Sequence, residues 1–288
     1  MNVGELQTVA NDIRRHVLRA VHHAGAGHIG GVFSAADMLA ALYFATLRID
    51  PHRPLWEDRD RFILSKGHCG IGLYAVLALR GYFPIAELST FDAIDSRLQG
   101  HPDMTKLPGL DMSTGSLGQG LSPGVGMALG ARYLTKDFRT WVMLGDGEIQ
   151  EGQIWEAAFA AARYGLDNLT AILDWNHLQQ FGWATAAGYA NNARLDPVEY
   201  PAAKWRAFGW HVIECSGHQI GEFLSACEEA GSVRGRPSMI IADTVKGKGV
   251  SFMEHEYTWH SKPISDADLA QALHELDEAD RALQVELL

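Results

Sequence analysis

Short apolar runs at residues 61–65, 141–144, 169–173, 210–213 and 239–242 alternate along this chain with stretches of helical periodicity. Runs of that length read as buried strands. Strands separated by helices join in parallel through crossovers, so the alternation predicts an α/β fold, a parallel sheet flanked by helices. Ahead of the first run the pattern is helical. Leu6, Val9, Ile13, Val17, Ala20 and Val21 share one face of a predicted helix over 5–24, stopped by Gly25 and Gly27. Ser34 followed by Asp37 resembles a capping box, which predicts a second helix starting at Ser34 and running through Leu47. Further helices are predicted at 71–80, 119–134, 151–164, 201–208 and 220–230, and a closing surface helix at 266–288. No repeat, low-complexity run or linker breaks the pattern, so residues 1–288 read as a single domain with a helical N-terminal segment over about 1–50.

Composition removes several function classes. With 47% hydrophobic and 20% charged residues the chain has a globular protein's balance, which excludes disordered and fibrous classes. Against 24 Lys and Arg stand 35 Asp and Glu, a net charge of −11, the wrong sign for broad attraction to nucleic acid or anionic lipid. A phosphorylated ligand therefore needs a local positive site. Cys69, Cys215 and Cys227 are odd in number and form no CxxC pair, which points to a reducing compartment, the cytoplasm. The N-terminus lacks the pattern of a signal peptide, and no apolar run reaches bilayer length.

Two strand ends carry the chemistry. The run at 141–144 meets Gly145, Asp146, Gly147 and Glu148, with a helix predicted from about Glu151. Glycines at a strand's carboxyl end let backbone amides approach an anion, and the helix start adds partial positive charge. The run at 169–173 ends in Asp174, Trp175, Asn176, His177 and Leu178. Either segment alone is an ordinary turn; at adjacent strand ends they face one point. Mg²⁺ takes about six oxygens at roughly 2.1 Å, several of them from phosphate and water, so Asp146, Asn176 and one backbone carbonyl suffice. Gly145 to Gly147 do not extend into GxGxxG, and no Walker lysine motif is present.

Thirteen histidines are present. Most, such as His22, His23, His211 and His274, read as solvated helix or strand-end residues, whereas His28, His68, His101 and His260 sit in loops bounded by glycine, proline or tryptophan. Their settings are GAGHIGG, SKGHCG, QGHPDM, and KGKG followed by WHS. Together with the GDG turn and the later D-x-N segment, these motifs resemble the transketolase family along essentially the whole chain. Trp175 departs from the frequent Asn or Asp at its position, and Ser261 replaces the usual glycine.

The resemblance implies a thiamine-diphosphate-binding fold and assigns roles. Asp146, Asn176 and the Leu178 carbonyl would hold Mg²⁺ or Ca²⁺. His68, Gly115, Ser116, Leu117, Gly147, Glu151, Asn176 and His260 would form the thiamine diphosphate site, with His28, His101 and His260 catalytic. Glu151 would help tie one active site to its neighbour, although it equally fits an acidic first-turn residue favoured by the helix dipole. The implied activity is transfer of a two-carbon ketol unit from a ketose, or ketose phosphate, to an aldose. Transketolases in one piece are about twice as long, so the resemblance also implies a second chain, the C-terminal pyrimidine-binding subunit, in a heterotetramer. Alternatives are a subunit of a ketoacid dehydrogenase or of a deoxyxylulose-phosphate-synthase-like enzyme, which share the metal motif but not the four-histidine set, and a non-catalytic binding homologue.

Overall fold

The computed structural model describes residues 1–180 and 200–286. Helix α1 (Val3–Ala24) starts at a capping box in which Asn2 Oδ1 accepts from the Glu5 amide at 2.9 Å and the Glu5 carboxylate accepts from the Asn2 amide at 2.8 Å. Gly25, left-handed at φ 72°, ends it.

Five strands follow the predicted runs closely: β1 (Arg61–Leu64), β2 (Thr140–Gly145), β3 (Leu169–Trp175), β4 (His211–Ser216) and β5 (Ser238–Asp243). They form one sheet in the order β1-β2-β3-β5-β4 with every pair parallel, so all carboxyl ends lie along one edge. Alternate residues of each central strand serve opposite faces. Trp141, Met143, Ile172 and Ile240 pack on one face with α1, α2 (Gly30–Ala41), α3 (Gly70–Arg80) and α7 (Ile220–Ser232). Val142, Leu144, Leu173 and Ile241 pack on the other with α4 (Leu121–Tyr133), α5 (Gly152–Arg163) and α6 (Pro201–Ala207). Burial on both faces explains why the strands read as continuous apolar runs rather than alternating ones.

Two helix expectations need correction. The second helix begins at Gly30, not Ser34, and its regular part stops at Ala41, with a π-helical turn over Leu42–Thr46. Ser34 lies inside it, fully buried, donating to the Gly31 carbonyl at 3.1 Å and to Asp174 at 2.6 Å. Asp37 does not complete a cap, because Arg14 and His218 hold its carboxylate at 2.6 and 2.8 Å. The closing helix α8 (Asp266–Glu286) is more than a surface element. Ala272 and Leu276 are buried, and Arg15 of α1 reaches Asp277, Asp280 and the Leu276 carbonyl. Residues 287–288 of the predicted helix lie outside the described residues. Among the described residues no helix is long and apolar enough to cross a membrane.

Candidate active site

The sequence-predicted residues meet at the carboxyl edge of the sheet, where parallel sheets bind ligands. A cavity of about 320 Å³ is lined there by His28, His68, Gly115, Leu117, Asp146, Gly147, Asn176, Leu178 and His260, together with Lys66, Glu148, Gln179 and Lys246. Each strand end supplies a part. β1 runs into Lys66 and a short 3₁₀ turn carrying His68, β2 into Asp146 and Gly147, β3 into Asn176 and Leu178, and β5 into Lys246 with His260 on a later 3₁₀ turn. His28 hangs from the link between α1 and α2.

All four loop histidines converge. Ring centroids lie 4.9 Å apart for His68 and His260, 5.2 Å for His28 and His260, 5.3 Å for His28 and His68, and 6.3 Å for His28 and His101. Burial, then Lys66, pushes His68 down to about 2; burial, then Lys246, pushes His260 down to about 3; burial, His101 and Lys246 lower His28. These three rings are neutral at ordinary pH, each able to donate from one nitrogen and accept at the other. The Lys246 ammonium donates to His260 Nδ1 at 3.1 Å, which leaves the ring proton on Nε2.

Asp146 is buried, and that burial raises its carboxyl to about 6 against the pull of Lys246, while Oδ1 accepts from the Gly147 amide at 2.8 Å. Asn176 Oδ1 accepts from the Leu178 amide at 3.2 Å, and the Leu178 carbonyl accepts from Lys246 at 3.1 Å. Among the described residues no group of three or more His, Cys, Asp or Glu is placed to hold a metal. The Asp146, Asn176 and Leu178 set offers instead one carboxylate, one amide oxygen and one main-chain carbonyl, a donor set that suits a hard cation completed by phosphate and water. A cofactor diphosphate fits the remainder. Lys66 and Lys246 supply positive charge, and Thr114 Oγ1 is buried beside the Gly115 turn with no hydrogen-bond partner among the described residues.

Three roles escaped the sequence reading, those of Lys66, Lys246 and Glu148, the last named at its strand end but given no part. Lys66 and Lys246 stand in SKGH and KGKG, lysines between a strand end and a glycine, a signal overshadowed by the histidine motifs around them. Burial works against the Lys66 ammonium, but Asp174 alongside holds its pKa above the ordinary value; burial pulls Lys246 below. Glu148 is only 2% exposed and joins three loops: one oxygen accepts from Ser65 Oγ at 2.5 Å and the Gly118 amide at 2.9 Å, the other from the Gly145 amide at 3.1 Å. Gly118 must be glycine there, since its φ is +82° and a Cβ would meet Glu151 Cβ at 2.7 Å. Ser116 and Glu151 are exposed, and neither these two nor His101 lines the cavity; Glu151 is the N-cap residue of α5, with no side-chain capping bond.

Residues 6–285 match the family model of the thiamine diphosphate binding domain of transketolase. The chain belongs to the transketolase family. Transketolases are thiamine-diphosphate-dependent transferases, and the fold, the family and the thiamine-diphosphate-binding domain expected from the motifs are borne out. Similar proteins include the 6-deoxy-6-sulfo-D-fructose transketolase subunit SqwG of Clostridium sp. (strain MSTE9), 45% identical over 95% of this chain and 96% of its own. An apulose-4-phosphate transketolase subunit of Phocaeicola vulgatus is 38% identical over 99% of both chains. Mouse transketolase is 41% identical over 94% of this chain, which spans only 42% of the mouse protein. The solved transketolase from Leishmania mexicana superposes with a TM-score of 0.84 at 28% identity, over 99% of this chain and 45% of that one. This transketolase-family chain therefore spans less than half of the single-chain enzymes and nearly all of the two proteins named as subunits.

Proposed function

We propose that this chain is the diphosphate-binding subunit of a two-chain, cytoplasmic transketolase, working with a C-terminal pyrimidine-binding subunit in a heterotetramer. The assembled enzyme would move a two-carbon ketol unit from a ketose or ketose phosphate to an aldose. The observation that carries this reading is the convergence of His28, His68, His101 and His260 at the edge where Asp146, Asn176 and Leu178 meet. Three free cysteines, two of them buried, suit the reducing setting.

When bound, thiamine diphosphate supplies a nucleophilic carbon and an electron sink for cleaving and re-forming the carbon–carbon bond. The chain's own residues hold, orient and move protons. Asp146, Asn176 and the Leu178 carbonyl would hold Mg²⁺ or Ca²⁺, and Lys66 and Lys246 would offset part of the diphosphate's charge. Glycines 115 and 147 let the backbone approach and Leu117 completes that wall, while Ser116, exposed beside it, is assigned to the cofactor from outside the cavity lining. His68 and His260, kept neutral, offer hydrogen bonds without adding positive charge. His28, His101 and the Nε2–H of His260 serve the hydroxyl protons of the sugar, which general acid–base groups must donate and accept in turn. Glu151 at the head of α5 lies outside this cavity and is assigned to contact between neighbouring sites.

The experiment supplies thiamine diphosphate, Mg²⁺, a ketose donor and an aldose acceptor to the purified chain, then repeats the assay with a C-terminal pyrimidine-binding transketolase subunit from the same source added. Activity only on mixing is expected. Full turnover by the chain alone would refute the two-chain reading.

A further inference from the structure

Asp174 lies at the centre of the sheet, near the end of β3, in register with Gly145 of β2 and Ala242 of β5, and is fully buried. It does not line the cavity. Yet its carboxylate gathers four donors from four segments. Oδ2 accepts from Ser34 Oγ at 2.6 Å, from the Lys66 ammonium and from Asn176 Nδ2 at 3.2 Å, while Oδ1 accepts from Thr244 Oγ1 at 2.5 Å. Lys66 is fixed in turn by the Gly31 carbonyl at 2.7 Å.

The contact with Asn176 sets a direction. A carboxylate ringed by donors can only accept, so the end of the Asn176 amide that faces it must be the NH₂. The amide oxygen is then turned the other way, where the Leu178 amide donates to it at 3.2 Å. The two ends of a carboxamide have nearly the same shape, so packing by itself does not choose between them. Reversed, the side chain would present N–H dipoles to a cation.

We propose that Asp174 is a positioning residue for the divalent cation: clamped by Ser34, Lys66 and Thr244, it orients the Asn176 amide so that oxygen rather than nitrogen is offered to the metal. The inference rests on the reading of Asn176 as a cation ligand. A purely structural role, as counter-ion to Lys66, would need neither the Thr244 hydroxyl on the opposite oxygen nor the bond to Asn176.

The test measures Mn²⁺ affinity of the assembled enzyme at saturating thiamine diphosphate, counting free Mn²⁺ by electron paramagnetic resonance, alongside melting curves. Asp174→Asn and Thr244→Val should weaken the cation by roughly 10- to 100-fold, the usual effect of removing a partner behind a metal ligand. Thr244→Ser, which keeps the hydroxyl, should bind like wild type. Asp174→Asn leaves Lys66 buried without a counter-ion; if that variant does not fold, the Thr244 pair decides. Equal Mn²⁺ affinity in wild type, Thr244→Val and Thr244→Ser would overturn the inference while leaving the cation site standing. Wild-type enzyme that holds thiamine diphosphate equally well in chelator would overturn the cation reading, and the inference with it.

Discussion

Replacing Glu148 tests whether one carboxylate holds the cofactor cradle together. In Glu148→Ala, three donors lose their acceptor: Ser65 Oγ, the Gly118 amide and the Gly145 amide. Each unsatisfied buried donor costs about 1–3 kcal/mol, and water entering the space left behind favours the low end, so a loss of about 3 kcal/mol is expected. At about 2 °C per kcal/mol for a chain of this size, the melting temperature should fall by about 6 °C. Glu148→Gln is the informative partner. Its oxygen can still serve Ser65 and Gly118, but its NH₂ then faces the Gly145 N–H, donor against donor. Relief of carboxylate burial, which raises the Glu148 pKa, partly offsets that clash, so the glutamine variant should fall between wild type and alanine. Because Gly120 donates to Ser65 Oγ at 3.0 Å, the alanine variant also loosens the turn into α4, so thiamine diphosphate affinity should drop in Glu148→Ala and less in Glu148→Gln, which keeps the Ser65 bond. Scanning calorimetry gives the first quantity and isothermal titration in Mg²⁺ the second. An unchanged melting temperature in Glu148→Ala would refute the three-loop staple, and a lower one with full cofactor affinity would refute its bearing on the site.

Asp146→Ala should abolish Mg²⁺-dependent thiamine diphosphate binding, because a diphosphate beside buried acids needs a cation; calorimetry showing undiminished affinity, or wild-type affinity in excess chelator, would remove the metal assignment. His28→Ala and His260→Ala should melt like wild type while losing about a hundredfold or more in kcat/KM. Lower melting with unchanged activity per folded molecule would make both histidines structural. In Gly67→Ala the added Cβ would stand 2.5 Å from the Gly115 nitrogen and 2.6 Å from the Thr114 carbonyl carbon, so the backbone must part. About 1–3 kcal/mol of stability should go, with weaker cofactor binding by calorimetry, and full affinity would show that the two loops are free to separate.

The strands were legible because burial on both faces leaves an uninterrupted apolar run, and their ends because glycine and acid follow at once. Sheet order was not. Nothing local says that β5 lies between β3 and β4; that follows from the crossover of α7 and the packing of both faces. Ser34 misled for a related reason. Ser-x-x-Asp looks the same whether the acid caps its own helix or answers Arg14 and His218 from elsewhere in the chain. The closing helix reads as surface because its apolar residues are sparse, yet acids at Asp277 and Asp280 meet an arginine one helix away. For the site, loop histidines announce themselves by their glycines, whereas buried lysines and glutamates resemble the solvated kind until the fold encloses them.

Those enclosed charges explain why cation and cofactor should bind together. Lys66 and Lys246 bring two positive charges to the cavity region, and Asp146, Glu148 and Asp174 three negative ones, a balance of 2 − 3 = −1 when all are ionised. The chain as a whole is at −11, so no long-range field corrects the local deficit. A diphosphate entering the cavity alone would face the Asp146 carboxylate, and like unit charges repel by about 4 kcal/mol at 4 Å with an effective dielectric of 20. A divalent cation held by Asp146, Asn176 and the Leu178 carbonyl would reverse the sign of that interaction, bringing the fixed charges plus metal from −1 to +1 before the anion arrives. Each ligand therefore creates the electrostatic condition for the other. Linkage requires the effect to be mutual: whatever factor Mg²⁺ adds to thiamine diphosphate affinity, saturating thiamine diphosphate must add to Mg²⁺ affinity.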